Sequence, residues 1–439
     1  MAGLKPVALP PHLDAGQVER LARWRREFHR HPELSWLEYR TTARIAEHLA
    51  GLGFVIRAGA ELYTASPHNW PDPAIRERAW RAAAAELGEE HPWLAHCCDG
   101  HSGLVATLDS GRPGTCHGFR FDLDALPIQE SGDSGHLPQA EGFASRHDGV
   151  MHACGHDGHA AVGIGLAEWL AANQASGKWH GKAHLFFQPA EEVAGGGRWF
   201  AELPELAEVD RLLSLHLGIT SRREIVLDAT WLAARIADVE ISGRSSHAGN
   251  APEQGRNALL AACTAIPGLY ALPRHSGGSS RIGVGRLRSD NAQNVVSDRA
   301  CFRFEIRGSN DNVCDELLKR AGQCVEGAAH MQGCRATLHE VSRFEACDNH
   351  PGLVRELNTG LERIGVPKAA VRTSHRVPAS EDATSLSRVV QENGGQATHI
   401  LFGCDTRGGH HNPSFDFDED LMAWAVDVLA CALAAPRDQ

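Results

Sequence analysis

His152-Ala-Cys-Gly-His-Asp-Gly-His159 stands just before a long run of small and apolar residues. That run, 159–172, reads as a helix with small apolar residues on one face. Upstream, 103–108 and 118–122 read as strands flanking the turn Ser110-Gly-Arg-Pro-Gly114. Downstream, 184–188 and 211–216 read as two more strands. Short apolar strands alternating with helices indicate an α/β domain with a largely parallel sheet. Open α/β sheets bind ligands at strand ends. A thiol, imidazoles and a carboxylate gathered at such an end therefore form a candidate site.

On the N-terminal side, 15–50 reads as amphipathic helix interrupted near His31-Pro32, with Gly51 and Gly53 closing it. Residues 61–98 read as an insertion between two strands: a turn-rich start at Ser66-Pro-His-Asn-Trp-Pro71, then a helix over 74–90. Near 230 the texture changes. The segment 234–241 alternates like a half-exposed strand, and 281–285, 300–306 and 334–338 read as further strands. Helices are expected over 257–272 and 313–329. Two strand–helix–strand units on one small sheet make an inserted α+β domain. The α/β texture returns after 342, with a strand at 399–402 and a helix at 419–432. The expected organisation is a discontinuous catalytic domain, 1–230 and 342–439, interrupted by a second domain at 231–341.

The totals allow a substantial hydrophobic core. The 439 residues are 42% hydrophobic and carry a net charge of -12 with no long basic run. That argues against nucleic acid and against an anionic membrane surface. The first 17 residues contain three prolines and no long apolar core, so no secretory signal is expected and the cytoplasm is the default location. No run of 18 apolar residues suggests a membrane span. The 12 cysteines follow no repeating spacing and read as small buried thiols rather than a disulfide framework. Cys97-Cys98 has no second pair to complete a metal site.

Four features fall at or just after strand ends: Cys154-Gly-His156-Asp157, Pro189-Ala-Glu191-Glu192, His216, and Gly408-Gly-His410-His411. Sulfur, imidazole and carboxylate donors together suit zinc, manganese or cobalt better than calcium or magnesium. Each residue alone has an ordinary reading as a buried thiol, a capping imidazole or a solvated turn. Their joint placement is what argues for metal. Paired glutamates serve metal hydrolysis directly: one ligates, and the other takes a proton from water. The rival chemistries are a serine triad and a cysteine nucleophile. No Gly-x-Ser-x-Gly elbow precedes a helix, and Gly243-Arg-Ser-Ser-His247 has the wrong spacing. Cys154 between His152 and His156 keeps a nucleophile reading open, although the carboxylate pair favours ligation.

These motifs, with Trp24-Arg-Arg-Glu-Phe-His-Arg30, Phe119-Arg-Phe-Asp-Leu-Asp-Ala-Leu126, His247-Ala-Gly249, Asn294-Val-Val296, Ser380-Glu-Asp-Ala-Thr384 and Gly409-His-His-Asn-Pro-Ser-Phe415, resemble the M20 metallopeptidase family in its amidohydrolase branch. That branch includes N-acyl-amino-acid hydrolases, auxin-conjugate hydrolases and the A subunits of aminobenzoyl-glutamate hydrolases. The resemblance to those aminobenzoyl-glutamate hydrolase subunits runs through most of the chain, including the insertion. It implies a two-domain metallopeptidase fold, with an α/β catalytic domain and an inserted α+β lid and dimerisation domain. It implies two divalent ions, Mn2+ or Zn2+, on Cys154, His156, Glu192, His216 and His411, with Cys154 as the bridge. Glu191 would be the general base and Asp122 a supporting carboxylate behind the ligands, aided by Asp124 and Asp157. His247 would stabilise the oxyanion from a partner subunit. Asn294, Arg307 and Ser380 would bind substrate, while His152 and His159 would be scaffold.

The implied reaction is hydrolysis of an N-acyl or N-aroyl amino acid, aminobenzoyl-glutamate foremost. Indole-acetyl amino acids, another aromatic amide or amine, or a non-catalytic partner-subunit role are the alternatives. The implied assembly is a homodimer, or a heteromer with a paralogous subunit. Two departures bear on substrate choice: His216-Leu-Gly-Ile219 lacks the family's usual proline, and Asn257 stands where auxin-type members carry a charge.

Overall fold

The computed structural model describes residues 13–65 and 70–433. The N-terminal segment, up to residue 12, and the start of the insertion at 66–69 lie outside the described residues. The chain forms two compact units, one of residues up to Thr230 with Cys347–Val377 and Asp382 onward, the other Trp231–Ala346 with Pro378–Glu381.

The first unit begins with α1 (Ala15–Arg30) and α2 (Tyr39–Gly51), then β1 (Val55–Ala58), the insertion helix α3 (Pro73–Leu87), β2 (Leu104–Asp109), β3 (Cys116–Asp122), α4 (His156–Asn173), β4 (Lys182–Gln188), β5 (Arg211–Leu217) and the short β6 (Ile225–Val226). The second unit contributes β7 (Ala233–Ser242), α5 (Ala258–Tyr270), β8 (Ser280–Arg288), β9 (Arg299–Gly308), α6 (Asp311–Met331) and β10 (Arg335–Phe344). The chain then returns to the first unit with α7 (Pro351–Arg363), β11 (Val371–Arg372), α8 (Ala383–Glu392), β12 (Gln396–Phe402) and α9 (Asp420–Leu433).

The large sheet runs β1-β2-β4-β3-β5-β12-β6-β11. Its centre, β4-β3-β5-β12, is parallel, whereas β1/β2, β2/β4 and β12/β6 are antiparallel. The sheet is therefore mixed, parallel at its core and again in the short pair β6/β11 at one edge. β2 and β3 are not a hairpin, because β4 inserts between them. Six of the seven residues of β4 are buried, and a strand buried on both faces needs a neighbour on each side.

α4 opens at His156, earlier than the apolar run suggests. Gly155 caps it at φ +94, a conformation glycine adopts without Cβ strain. The helix is buried on nearly all sides. Its glycines make that packing close: a Cβ on Gly163 would lie 2.5 Å from the Phe187 ring. Full burial of a ring such as Phe187 stabilises the fold by roughly 1.5–3 kcal/mol.

The second unit is a four-stranded antiparallel sheet, β10-β7-β9-β8, covered by α5 and α6. On β9, Ala300, Phe302, Phe304 and Ile306 are buried at every second position. They share a core with Val313, Leu317, Ala321 and Val325, which recur at helical spacing on α6. Among the described residues no helix is long and apolar enough to cross a membrane.

Candidate metal centre

The ends of β3, β4 and β5 and the start of α4 converge on one buried cluster. Gly155 turns the chain so that Cys154 and His156 face the same point from either side of the helix start. The ligand atoms of Cys154, His156 and His216 all lie within 4.8 Å of one another, and so do those of Cys154, Glu192 and His411. Two triads thus share one sulfur. A third group, His156, Glu191 and Glu192, overlaps both.

Hydrogen bonds decide which nitrogen each imidazole offers. His156 Nδ1 donates to the Asp124 carbonyl at 2.8 Å, and its buried Nε2 has no hydrogen-bond partner among the described residues. His216 Nδ1 donates to the Leu217 carbonyl at 2.9 Å, which leaves Nε2 3.6 Å from Cys154 Sγ. Outer hydrogen bonds of this kind fix the tautomer of metal-binding histidines. Glu192 Oε1 is also buried without a hydrogen-bond partner among the described residues, 3.3 Å from His411 Nε2. His411 is half exposed and held at φ +58, with its N–H donating to the Ala153 carbonyl. Such left-handed backbone in a histidine is a local strain that the surrounding turn must hold. Buried donor atoms without partners are costly. A pair of divalent cations would satisfy them, so the residues present fit two metal ions.

His159 is excluded from ligation by the same accounting. Its Nδ1 contacts Asp122 Oδ1 at 2.5 Å, and its Nε2 accepts the Leu217 N–H at 3.0 Å, so both nitrogens are used. Asp122 is held by His159 and by Arg120 at 2.7 Å; it stands 3.8 Å from His156 Nδ1. The direct support of His156 therefore comes from the Asp124 carbonyl. Arg120 continues to Gln188 and Asp382, and Asp382 accepts the Gly197 N–H, tying the β4 end to the start of α8.

The turn bearing Glu191 has a feature that sequence reasoning missed. Three consecutive N–H groups point at two buried carboxylates. Ala190 donates to Glu38 Oε1 at 2.8 Å, Glu191 to Asp124 Oδ1 at 3.1 Å and Glu192 to Asp124 Oδ2 at 3.0 Å. Ser35 and Ser102 hydroxyls complete the two acids. The clamp holds Ala190 at φ +56. The spacing Asp122-Leu-Asp124 hints at it, because alternate residues share a side of the chain. Glu38 carries no such signal.

Charge follows from this density of acids. Burial works against the charged form of His156, but Asp122, Asp124 and Glu192 outweigh it and push its pKa up to about 10. Burial, then Glu192 and Glu191, push the Cys154 thiol well above its usual range. Both shifts describe a pocket of negative potential that holds protons until a cation replaces them. His152, also buried, is pushed down to about 3 by burial and stays neutral. Asp157 is bound by Arg25 at 2.9 Å and His29 at 2.8 Å and serves the start of α4 structurally.

The remaining predicted residues belong to the second unit. His247 is exposed; its Nδ1 accepts the N–H groups of Gly249 and Asn250 at 3.1 and 3.0 Å, so Nε2 is the donor. Asn294 is exposed, and its carbonyl accepts the Ala248 N–H, joining the two loops. Arg307 is paired with Glu305 at 3.1 Å. Ser380 Oγ is buried without a hydrogen-bond partner among the described residues. Asn257 caps α5 by accepting the Leu260 N–H at 3.0 Å.

A mixed α/β unit with paired ligand triads beside a second carboxylate is the architecture of a two-metal hydrolase. The chain belongs to Peptidase family M20/M25/M40, which it matches over residues 118–435. It is 39% identical over 415 residues to "Indole-3-acetyl-aspartic acid hydrolase" of Enterobacter agglomerans, covering 93% of this chain and 94% of that one. It is 37% identical to the A component of p-aminobenzoyl-glutamate hydrolase from Escherichia coli (strain K12), covering 94% of each. A solved structure, the aminobenzoyl-glutamate utilization protein from Klebsiella pneumoniae, superposes with a TM-score of 0.78 at 34% identity over 95% of this chain and 96% of that one. The protein is a metal-dependent amidohydrolase of this family, with a candidate dinuclear centre.

Proposed function

We propose that this amidohydrolase cleaves the amide of an N-aroyl or N-acyl amino acid, with aminobenzoyl-glutamate as the lead substrate. The observation that carries the reaction is the pair of ligand triads sharing Cys154, next to Glu191, which is held but not needed by either triad. The lead substrate rests on the p-aminobenzoyl-glutamate hydrolase relative. An indole-acetyl-aspartate conjugate is the second reading, favoured by the relative at 39% identity. Both pair an aromatic acyl group with an acidic amino acid.

Cys154, His156, Glu192, His216 and His411 would hold two divalent ions, Mn2+ or Zn2+. When bound, the ions polarise the amide carbonyl and acidify water. Glu191 takes a proton from the attacking water and delivers it to the leaving amine. The clamp from Glu38 and Asp124 keeps that carboxylate in place. His247 of the partner subunit donates its Nε2–H to the developing oxyanion, since Nδ1 is already an acceptor. Asn294 and Ser380 contact substrate; Arg307 meets a substrate carboxylate by exchanging its Glu305 partner.

The assembly is a homodimer through the second unit. Leu260 at 48% and Tyr270 at 55% exposure on α5, with Leu287 on the edge strand β8, supply an apolar face. A heteromer with a paralogous subunit is the alternative, raised by the Escherichia coli relative, which is itself one component of a multi-subunit hydrolase. A non-catalytic role is disfavoured by the retained Glu191. The test is amine release from a panel of N-aroyl and N-acyl amino acids by protein loaded with Mn2+ or Zn2+. Turnover of aminobenzoyl-glutamate above the rest supports the proposal. No turnover on any conjugate by fully metallated protein overturns it.

A further inference from the structure

A second cluster of metal-ligating side chains lies away from the Cys154 centre, where the insertion meets the first helix. His31, Glu86 and His147 place one ligand atom each within 4.8 Å of the others. They come from three distant segments: the end of α1, the last turn of α3 and the loop before the His152–His159 stretch.

Two of the three are preorganised by backbone contacts. The Arg146 N–H donates to the Arg30 carbonyl at 2.9 Å, and His147 Nδ1 donates to the Pro32 carbonyl at 2.9 Å. The loop is thereby stapled to the end of α1, and Ser145 Oγ further secures it on the Val150 carbonyl at 2.7 Å. The bond from Nδ1 leaves His147 Nε2 as a lone pair, 3.8 Å from Glu86 Oε1, too long for a hydrogen bond. His31 Nδ1 is buried and stands 2.9 Å from Glu86 Oε2, an ion-pair contact. Two imidazole nitrogens and a carboxylate oxygen thus converge within 4.8 Å of one another. A carbonyl holding the far nitrogen of a ligating histidine is the usual outer support of a metal site.

Arg40 is the group that opposes a cation here. It donates to Glu86 Oε2 at 2.7 Å and also to Glu27 at 3.1 Å. Its charge is shared with a second acid, and Oε1 of Glu86 remains for a ligand. Arg40 then plays on Glu86 the orienting part that Pro32 plays on His147. Burial first, then Arg40, lowers the His31 pKa and favours the neutral imidazole that ligation needs.

We propose that His31, Glu86 and His147 bind a third divalent ion of the zinc class, which fastens the insertion helix α3 to the loop leading into the catalytic segment. Two imidazoles and one carboxylate with an open fourth position suit Zn2+. This site is separate from the two-metal centre and does not depend on the substrate assigned above.

The experiment is equilibrium dialysis of the full chain against Zn2+, with bound zinc counted by mass spectrometry, for the wild type, Glu86→Gln and His147→Gln. The wild type is expected to hold one more zinc per chain than either variant. Loss of a direct ligand should weaken that site at least as much as the roughly 10–100-fold cost of losing an outer-shell partner. Hydrogen exchange supplies a second reading: Zn2+ should slow exchange in residues 73–87 of the wild type and leave both variants unchanged. Equal zinc counts in all three proteins, or slowing of exchange that survives in the variants, overturns the proposal. The count is a difference between proteins, so it reads the same whether the Cys154 centre is filled or not.

Discussion

The two units spend their interiors differently. Among the described residues, nine histidines are buried in the first unit and none in the second. The second unit has an apolar sandwich core in which Arg235 is a buried charge, held by Asp311 and Asp315. Burying imidazoles and carboxylates is unfavourable unless each finds a partner. The first unit accepts that cost to hold a metal centre rigid. The second unit keeps its chemistry-bearing groups, His247 and Asn294, on exposed loops, where they are free to meet another surface.

The sharpest test of that contrast is Glu191→Gln. It removes the base and keeps the shape, so kcat should fall by about 10²–10⁴-fold while bound metal is unchanged. Retained turnover, measured with metal content on the same sample, would move the base elsewhere. His247→Ala should come next, with a kcat loss of about 10²–10³-fold, the size expected for one oxyanion donor. Because the ring is exposed, the melting temperature should barely move. A large drop in stability instead would make His247 structural and blur the contrast between the units.

Acid should separate the units thermodynamically. Burial, then Arg211, pushes the His117 pKa down to about 4. Unfolded, the same ring titrates near 6.5, so between these values the unfolded chain binds the extra proton. Stability should therefore fall as pH drops from about 6.5 to 4, by on the order of 3 kcal/mol from this residue. Urea unfolding across that window should show His117→Phe flattening the slope; an unchanged slope would place the titration in other groups. The smallest effect is expected in the second unit. Asn257→Ala removes the α5 cap and should cost about 1 kcal/mol without altering metal content at the Cys154 centre. A change in metal content would mean that the units are not independent.

Much of this was legible before the fold. The apolar runs of β4, β5 and α4 identify an α/β unit, and the alternation of β7 identifies the second sheet. Cys154, His156, Glu191, Glu192 and His216 stand out because each sits where an apolar run stops. His411 is less visible, because it lies in a loop whose φ of +58 no local rule calls for. The sequence alone does not mark the helices α7 and α8 or the short strands β6 and β11. Their patterns are short or mixed, and they form by packing onto a sheet already built.

Residue types at strand ends are a local property, so the donor set is legible in the chain alone, while the amide-hydrolase class comes with the family resemblance. Which nitrogen each histidine presents is not local. It depends on the carbonyls of Asp124 and Leu217 and on the N–H of Leu217 that occupies His159. The same holds for Glu38, which reaches across 152 residues to the Ala190 N–H. It holds too for Glu86, brought beside His31 and His147 only when α3 docks. Hydrogen bonds need distances within a few tenths of an ångström. Segments far apart in sequence meet with that accuracy only after the core has packed.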